Sequence, residues 1–357
     1  MSAEQIRIKA EVLHDFVTRI FVAAGCDAKN AQMNADGVLA ADLAGHHIQG
    51  LDHIYSTVRE LRAGRLNARA QPRATHETAA TARVDGDGGT GHVTGLFATE
   101  LAMRKARNAG IGAVGLVGGG DIFMLGFYVE RIARAGLVGL VFTNTHPVRV
   151  HPTGGIDRVL GTNPIAFGFP VGGSDPVIVD LATSTSAIGY VRIASYTNAP
   201  IAEGIAIDRH GDPTTNAQAA LDGALTPLGG HKGYALALAA ALLSGPLIGA
   251  VVGGELEKAL ALGEGERRRG HLFVAIDPGA FGDANLSAEH AATFLHEIKA
   301  SRKAPGISEI LIPGERSRRH REEALRHGVP ILRSVWSNTL KVAEDLGVAP
   351  PDLARMG

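Results

Sequence analysis

A change of hydrophobic rhythm near residue 75 restricts the fold of this 357-residue chain more than any single motif does. Ahead of it, K-A-E-V-L-H-D-F-V-T-R-I-F-V-A-A-G (9–25) carries apolar residues at helical spacing and stops on Gly25. A second helix over about 28–44 follows Asp27, and a third spans about 50–63, so the first 65 residues predict a small helical unit. Beyond it the pattern alternates. T-A-A-T-A-R-V-D-G-D-G-G-T-G-H reads as a strand and turn, a helix follows over about 94–109, and the apolar strand I-G-A-V-G-L-V runs into Gly118-Gly119-Gly120-Asp121. A helix over about 125–135 then leads to the strand G-L-V-G-L-V-F-T-N-T. This alternation predicts an α/β region with buried strands. The stretch 146–231, rich in Gly, Pro and Thr, predicts long loops and short strands. Helices resume over about 232–248 and 287–303 around the strand H-L-F-V-A-I-D, and the C-terminal region supplies one more strand and one more helix. The charged run E-G-E-R-R-R-G (264–270) reads as a solvated loop.

Lys plus Arg (35) and Asp plus Glu (36) nearly cancel, so no overall field favours nucleic acid or an anionic membrane. A small molecule is the expected partner. The single cysteine, Cys26, can form neither an internal disulfide nor a C-x-x-C site, which suits a reducing compartment. The start M-S-A-E-Q-I-R lacks the pattern of a signal peptide. The most apolar run, Tyr234 to Val252, is alanine-rich and interrupted at Ser244-Gly245-Pro246, and it reads as a buried helix rather than a membrane span. A cytoplasmic location is expected. No H-E-x-x-H or comparable metal spacing and no G-x-S-x-G elbow is present, which argues against a metal hydrolase or an esterase.

Two glycine-rich pieces, Gly86 to Gly91 and Gly115 with Gly118–Gly120, invite a dinucleotide reading. The first sits in an aspartate-rich turn and the second has the wrong spacing for G-x-G-x-x-G, so ordinary tight turns are the better reading. Leu228-Gly229-Gly230-His231-Lys232-Gly233-Tyr234, ahead of an apolar helix, is a better phosphate cradle. It joins free N–H groups at a helix start to a lysine, although a glycine turn into a core helix explains it as well.

The strings T-N-T-H-P (143–147), L-G-T-N-P-I-A-F-G-F-P (160–170), V-D-L-A-T-S (179–184), G-G-H-K-G-Y (229–234) and I-P-G-E-R (312–316) occur in that order. Together they resemble the type-2 malate/L-lactate dehydrogenase family, whose members include ureidoglycolate and sulfolactate dehydrogenases and diketogulonate and Δ1-piperideine-2-carboxylate reductases. The resemblance covers nearly the whole chain. It implies an α/β protein with a non-Rossmann, mostly antiparallel NAD(P)-binding sheet and a helical N-terminal domain, acting as a homodimer. The domains implied are residues 1–75, joined by the C-terminal segment 317–357, and a cofactor and substrate domain over 76–316. The implied cofactor, NAD or NADP, is held by Asp180, Ala182, Thr183 and Ser184, by His231 and Lys232, and by Pro313, Gly314 and Glu315. Asn144 and Thr162 line the implied cleft. The residue types agree, since Lys232 offers a cation to phosphate and Thr183 and Ser184 offer hydroxyls to phosphate or ribose. His146 and His151, flanking that cleft in T-H-P-V-R-V-H-P, suit a substrate carboxylate together with Arg149, although a structural role explains them as well.

The resemblance breaks at the proton donor. Where the family carries S-H-G, the chain reads Ile48-Gln49-Gly50, and Asp121 stands where a second family histidine is expected. A glutamine amide can hold a carbonyl but cannot deliver a proton near pH 7, which predicts poor reduction of simple 2-oxo acids. Three accounts remain. His46 shares the face of Gln49 if the backbone between them is helical, and Asp121 can serve if burial beside Ile122, Phe123 and Met124 raises its pKa. Alternatively, the substrate is a protonated C=N that needs no acid, or the scaffold has left redox chemistry. His46, His47 and His53 equally read as cap or solvent residues.

Overall fold

The structure is a computed structural model that describes residues 5–352. The chain opens with β1 (Gln5–Ile8), α1 (Ala10–Ala23) and α2 (Ala28–Leu43). Asp27 caps α2 by accepting the Asn30 N–H at 2.8 Å, the bond that a short acidic side chain makes ahead of a helix. Two 3₁₀ turns, His47–Gln49 and Leu51–His53, lead into α3 (Ile54–Arg62), so the third helix begins later and more tightly than its apolar pattern predicts. α1 buries Leu13, Phe16, Val17, Ile20 and Phe21. That face meets the chain's one tryptophan, with Phe16 and Trp336 rings 5.4 Å apart, in a core that also takes in Ala324, Val329, Ile331 and Val342.

The middle of the chain runs β2 (Arg73–Glu77), β3 (Thr81–Gly89), α4 (Gly91–Ala109), β4 (Ile111–Gly119), α5 (Gly126–Arg134), β5 (Val138–Thr143), β6 (Ile165–Phe169) and β7 (Val177–Leu181). After α6 (Ile188–Tyr196) come β8 (Ala206–Ile207), β9 (Pro213–Thr214), α7 (Ala217–Asp222) and β10 (Ala224–Leu225), whose strands form a small sheet of their own. Then follow α8 (His231–Ser244), α9 (Gly253–Ala261), α10 (Gly265–Arg268), β11 (Gly270–Ile276), α11 (Ala284–Ala300), α12 (Glu315–His327), β12 (Val329–Leu332) and α13 (Arg333–Asp345).

The main sheet has the order β2-β3-β4-β11-β5-β6-β7. β3 and β4 are parallel and every other neighbouring pair is antiparallel, as the resemblance implies and unlike a doubly wound nucleotide fold. β11 lies at the centre, with Phe273 opposite Val114 on one side and Val141 on the other. Leu96, Leu101 and Ala102 of α4 and Tyr128, Val129 and Ile132 of α5 pack on that face. Burying one such large apolar side chain contributes roughly 1.5–3 kcal/mol.

Four expectations need correction. The stretch 146–231 contains two helices, α6 and α7; α6 buries only Val191 and Ala194, too few for a helical rhythm. α12 was unexpected because Ala324 is its one buried residue. Residues 264–270 are not a solvated loop: they contain α10, followed by Arg269, 1% exposed, and the first residue of β11. The apolar run from Tyr234 is helical but not buried throughout, since Leu236, Leu238, Leu242 and Leu247 are exposed. No single helix among the described residues is long and apolar enough to cross a membrane.

Candidate active site

Asp42, buried near the end of α2, builds the joint ahead of α3. Its Oδ2 accepts the Leu51 N–H at 2.8 Å and its Oδ1 meets His47 Nδ1 at 3.1 Å. The 3₁₀ turns are fixed by this clamp. His46 precedes the first turn with ψ at 54°, outside the helical range, so it does not share a helical face with Gln49. Its Nε2 instead lies 3.3 Å from Ser317 Oγ on α12. Desolvation there, and then the charge of Arg316, push the imidazole below its ordinary value. Gln49 ends the first turn, half-buried, and its amide has no hydrogen bond to any described residue. His53 ends the second turn, its ring 4.6 Å from that of Phe123.

Asp121 follows β4 in a turn that Gly91 makes possible: a Cβ there would stand 1.7 Å from the Asp121 carbonyl oxygen. Its Oδ1 accepts the Phe123 N–H at 3.0 Å, and its Oδ2 pairs with Arg269 Nη1 at 3.2 Å. Burial alone would raise this carboxyl, the condition under which it was to act as an acid. Arg269, the Phe123 N–H, His53 and His146 outweigh burial and hold it well below the usual carboxylate range. Asp121 is therefore an anion and not a proton donor. Arg269 also meets Glu266 Oε1 at 3.2 Å, and burial pushes Glu266 the other way, upward.

Further histidines surround this charge cluster. His146 Nε2 lies 3.7 Å from Glu266 Oε1, and burial and then Arg269 push it down to about 4. His92 lies in α4, its ring 5.1 Å from Phe123, and burial pushes it down to about 4. His271, in the central strand, pairs with the Thr143 hydroxyl at 2.7 Å and the Gly120 carbonyl at 3.2 Å; burial lowers it to about 3. The sequence reading missed Arg269, His92 and His271. For His271 a signal existed, because a histidine heading a buried strand must find hydrogen-bond partners there.

The expected substrate residues separate. Asn144 donates Nδ2 to the Ser244 and Gly270 carbonyls, leaving its buried Oδ1 unpaired. Thr162 Oγ1 lies 3.2 Å from Thr145 Oγ1. His146 faces the Asp121 cluster, whereas Arg149 has Arg158, Arg192 and Glu257 as its charged neighbours and a buried, unpaired Nε.

The three expected cofactor segments meet along β7. The Ile178 N–H donates to the Pro313 carbonyl at 3.2 Å, and the Leu228 N–H donates to the Thr183 carbonyl at 2.9 Å, which joins the glycine turn to the Asp180–Ser184 loop. Gly229 and Gly230 take φ values of 60° and 65° with open space where side chains would stand, and Lys232 at the start of α8 is exposed. A phosphate-bearing nicotinamide cofactor fits this cradle. The hydroxyls are another matter. Thr183 Oγ1 donates to the Thr162 and Asn163 carbonyls, and Ser184 Oγ donates to the Ser186 carbonyl, so both are committed to the backbone. Asp180 accepts the Gly126 N–H at 2.7 Å at the start of α5, and burial raises its carboxyl to about 6. Ala182 offers only its half-buried methyl group beside these residues. Glu315 pairs with Lys299 at 2.5 Å and accepts the Ile312 N–H, while Gly314 packs against Ile178.

A model of the malate/L-lactate dehydrogenase family matches residues 8–339. The chain is 34% identical over 351 residues to a malate dehydrogenase of Pyrococcus horikoshii, covering 96% of each chain. It is 34% identical over 336 residues to a Δ1-pyrroline-2-carboxylate reductase of Ancylobacter novellus, covering 94% of this chain and 96% of the relative. Among solved structures, the sulfolactate dehydrogenase of Methanocaldococcus jannaschii superposes with a TM-score of 0.90 at 34% identity, covering 96% of this chain and 98% of that one.

Proposed function

The chain belongs to the malate/L-lactate dehydrogenase family of oxidoreductases, and on that premise we propose that it is an NAD(P)H-dependent reductase or dehydrogenase of a small carboxylated substrate. The substrate is a 2-oxo or 2-hydroxy acid or a cyclic imino acid, and the proton donor is not Gln49. The observation that carries the reading is the Leu228–Thr183 bond, which makes one cofactor wall of two distant motifs. NAD or NADP, when bound in reduced form, supplies hydride to the carbon of a C=O or C=N bond. Lys232 and the first N–H groups of α8 hold phosphate, and Arg149, with Arg158 and Arg192 nearby, draws the substrate carboxylate. The named relatives are dehydrogenases and reductases, so a scaffold that has left redox chemistry is not favoured.

We further read the uncovered apolar faces of α6 (Tyr190, Ile193, Tyr196) and α8 (Leu236, Leu238, Leu242) as the contact with a second copy. The core shared by residues 8–66 and 324–343 supports a helical domain of residues 1–75 completed by 317–357, beside the domain of 76–316. Buried Cys26 suits a reducing, cytoplasmic setting.

One preparation tests these readings. Nicotinamide fluorescence should saturate with NADH or NADPH, turnover should appear with pyruvate, oxaloacetate or Δ1-piperideine-2-carboxylate, and light scattering should return a dimer mass. No saturable binding of either cofactor at millimolar concentration removes the functional reading, and a monomer mass removes the dimer.

A further inference from the structure

We propose that His53 is the catalytic proton donor of this enzyme, the group that delivers a proton to the substrate oxygen as the carbonyl carbon is reduced. The inference deepens the functional reading above and rests on it.

The other candidates near the cleft are disqualified by their contacts. His46 faces Ser317 on α12, and His47 is tied to Asp42. His271 has both ring nitrogens engaged inside the sheet, and His92 is buried behind Phe123. His146 stands beside the guanidinium of Arg269, which opposes a second positive charge there. Asp121 is ionised and Gln49 has no proton to give.

His53 differs from all of these. It is half-buried, and neither ring nitrogen has a hydrogen-bond partner among the described residues. The second 3₁₀ turn holds it in place through the Asp42–Leu51 bond, one turn beyond Gln49. Phe123 packs against its ring at a tilt, and does so at a cost: its φ of 55° is a left-handed conformation that a bulky residue adopts only when surroundings impose it. The same turn lets the Phe123 N–H and Arg269 fix the Asp121 carboxylate as an anion within electrostatic range of His53. Asp121, from the turn after β4, with Arg269 paired to it, and the titratable His92 of α4, which burial keeps neutral, lie within electrostatic range of His53. As hydride reaches the carbonyl carbon, the π electron pair of C=O moves to oxygen. Oxygen then takes the ring N–H proton of His53, whose bonding pair stays on nitrogen, and water reprotonates the neutral imidazole. A protonated C=N already carries its proton and asks nothing of His53.

That asymmetry makes the test. His53→Gln should lower kcat for pyruvate or oxaloacetate by about 10²–10⁴-fold while KM changes by less than about threefold, and Δ1-piperideine-2-carboxylate reduction should fall by less than about tenfold. The loss of ketone turnover with rising pH in the natural protein should disappear in the variant, and added imidazole should restore part of the activity of His53→Ala. Without cofactor or turnover, the His53 Cε1–H resonance should move in Asp121→Asn, because the Asp121 carboxylate lies within electrostatic range of the ring. Equal losses for ketone and imine, or a raised KM with kcat intact, would overturn the proposal, the latter by making His53 a carboxylate-binding residue. If the natural protein reduces none of these substrates, the functional reading fails. The resonance still judges His53, because indifference to Asp121→Asn refutes its placement.

Discussion

The β7 segments and the cluster around Asp121 are held by different forces. Along β7 the backbone does the work: Pro313, Thr183 and Leu228 meet through main-chain bonds, Thr183 and Ser184 turn their hydroxyls to carbonyls, and Lys232 is left as an exposed cation. Around Asp121 side-chain charge does the work, with Arg269 shared between two carboxylates and imidazoles packed about them. A backbone wall needs glycine and proline at fixed local spacing. A charge wall needs only that residues 121, 266 and 269 arrive together, by whatever route the chain takes.

The largest effect should follow from breaking the charge wall. Arg269→Met keeps the length of the side chain and removes its charge, leaving Glu266 and Asp121 facing each other without a cation. Removing one partner of a buried pair typically costs roughly 3–5 kcal/mol, and the loss here belongs near the lower end because the Asp121 side chain is 41% exposed. The urea midpoint should fall accordingly, and the Asp121 carboxyl should rise toward or above its ordinary range by NMR. A midpoint within error of the natural protein would show that the cluster does not hold this wall.

That contrast explains what could be read from the sequence. α1, α5 and the strands β4, β5 and β11 announce themselves because each buries regular apolar positions, whereas α2, whose buried side includes Asn30, Asn34 and Asp42, is legible from its Asp27 cap. The β7 segments announce themselves because D-L-A-T-S, H-K-G and P-G-E are contiguous strings. α12 does not, since E-R-S-R-R-H-R-E-E-A-L-R-H is anchored by charge, with Arg321 bidentate to Glu130 at 2.8 and 3.0 Å. R-R-R-G resembles a solvated run for the same reason. Only the start of β11 at Gly270 turns Arg269 inward to find Asp121, almost 150 residues earlier in the chain. His53 was visible as a residue but not as a donor, because what distinguishes it is the Phe123 ring and the Asp121 charge.

A smaller effect concerns acid. His271, lowered to about 3 from an ordinary 6.5, binds a proton more readily in the unfolded chain. Its contribution is therefore present above pH 6.5 and is lost as pH falls toward about 3, and His92 and His146, at about 4, act in the same direction. Asp180 opposes them. Raised to about 6 from 3.8, it favours the folded state below pH 3.8, and that contribution is lost as pH rises through 6. His46 is lowered too, while Glu266 and Asp42 are raised and act with Asp180; the large downward shifts of His271, His92 and His146 set the balance in this range and predict that stability falls between pH 6.5 and 4. His271→Asn should flatten that fall by roughly 1–3 kcal/mol in urea titrations across the range. An unchanged slope would mean that His271 is not the neutral, doubly bonded residue described above.

The smallest effect sharpens the backbone wall. If the cradle is made of N–H groups and one lysine, Lys232→Ala should weaken NADH or NADPH binding by about 1–3 kcal/mol, the range for a charge-assisted bond to phosphate. Ser184→Ala should change it by less than about 0.5 kcal/mol, because the hydroxyl already donates to the Ser186 carbonyl at 2.9 Å and has no proton left for a ligand. Isothermal titration of both variants with both cofactors decides the point. If Ser184→Ala proves as costly as Lys232→Ala, the hydroxyl must leave Ser186 and turn to the cofactor on binding. The loop from Asp180 to Ser184 would then rearrange where the wall is otherwise preformed, and the contrast between the two walls would narrow to the unbound state.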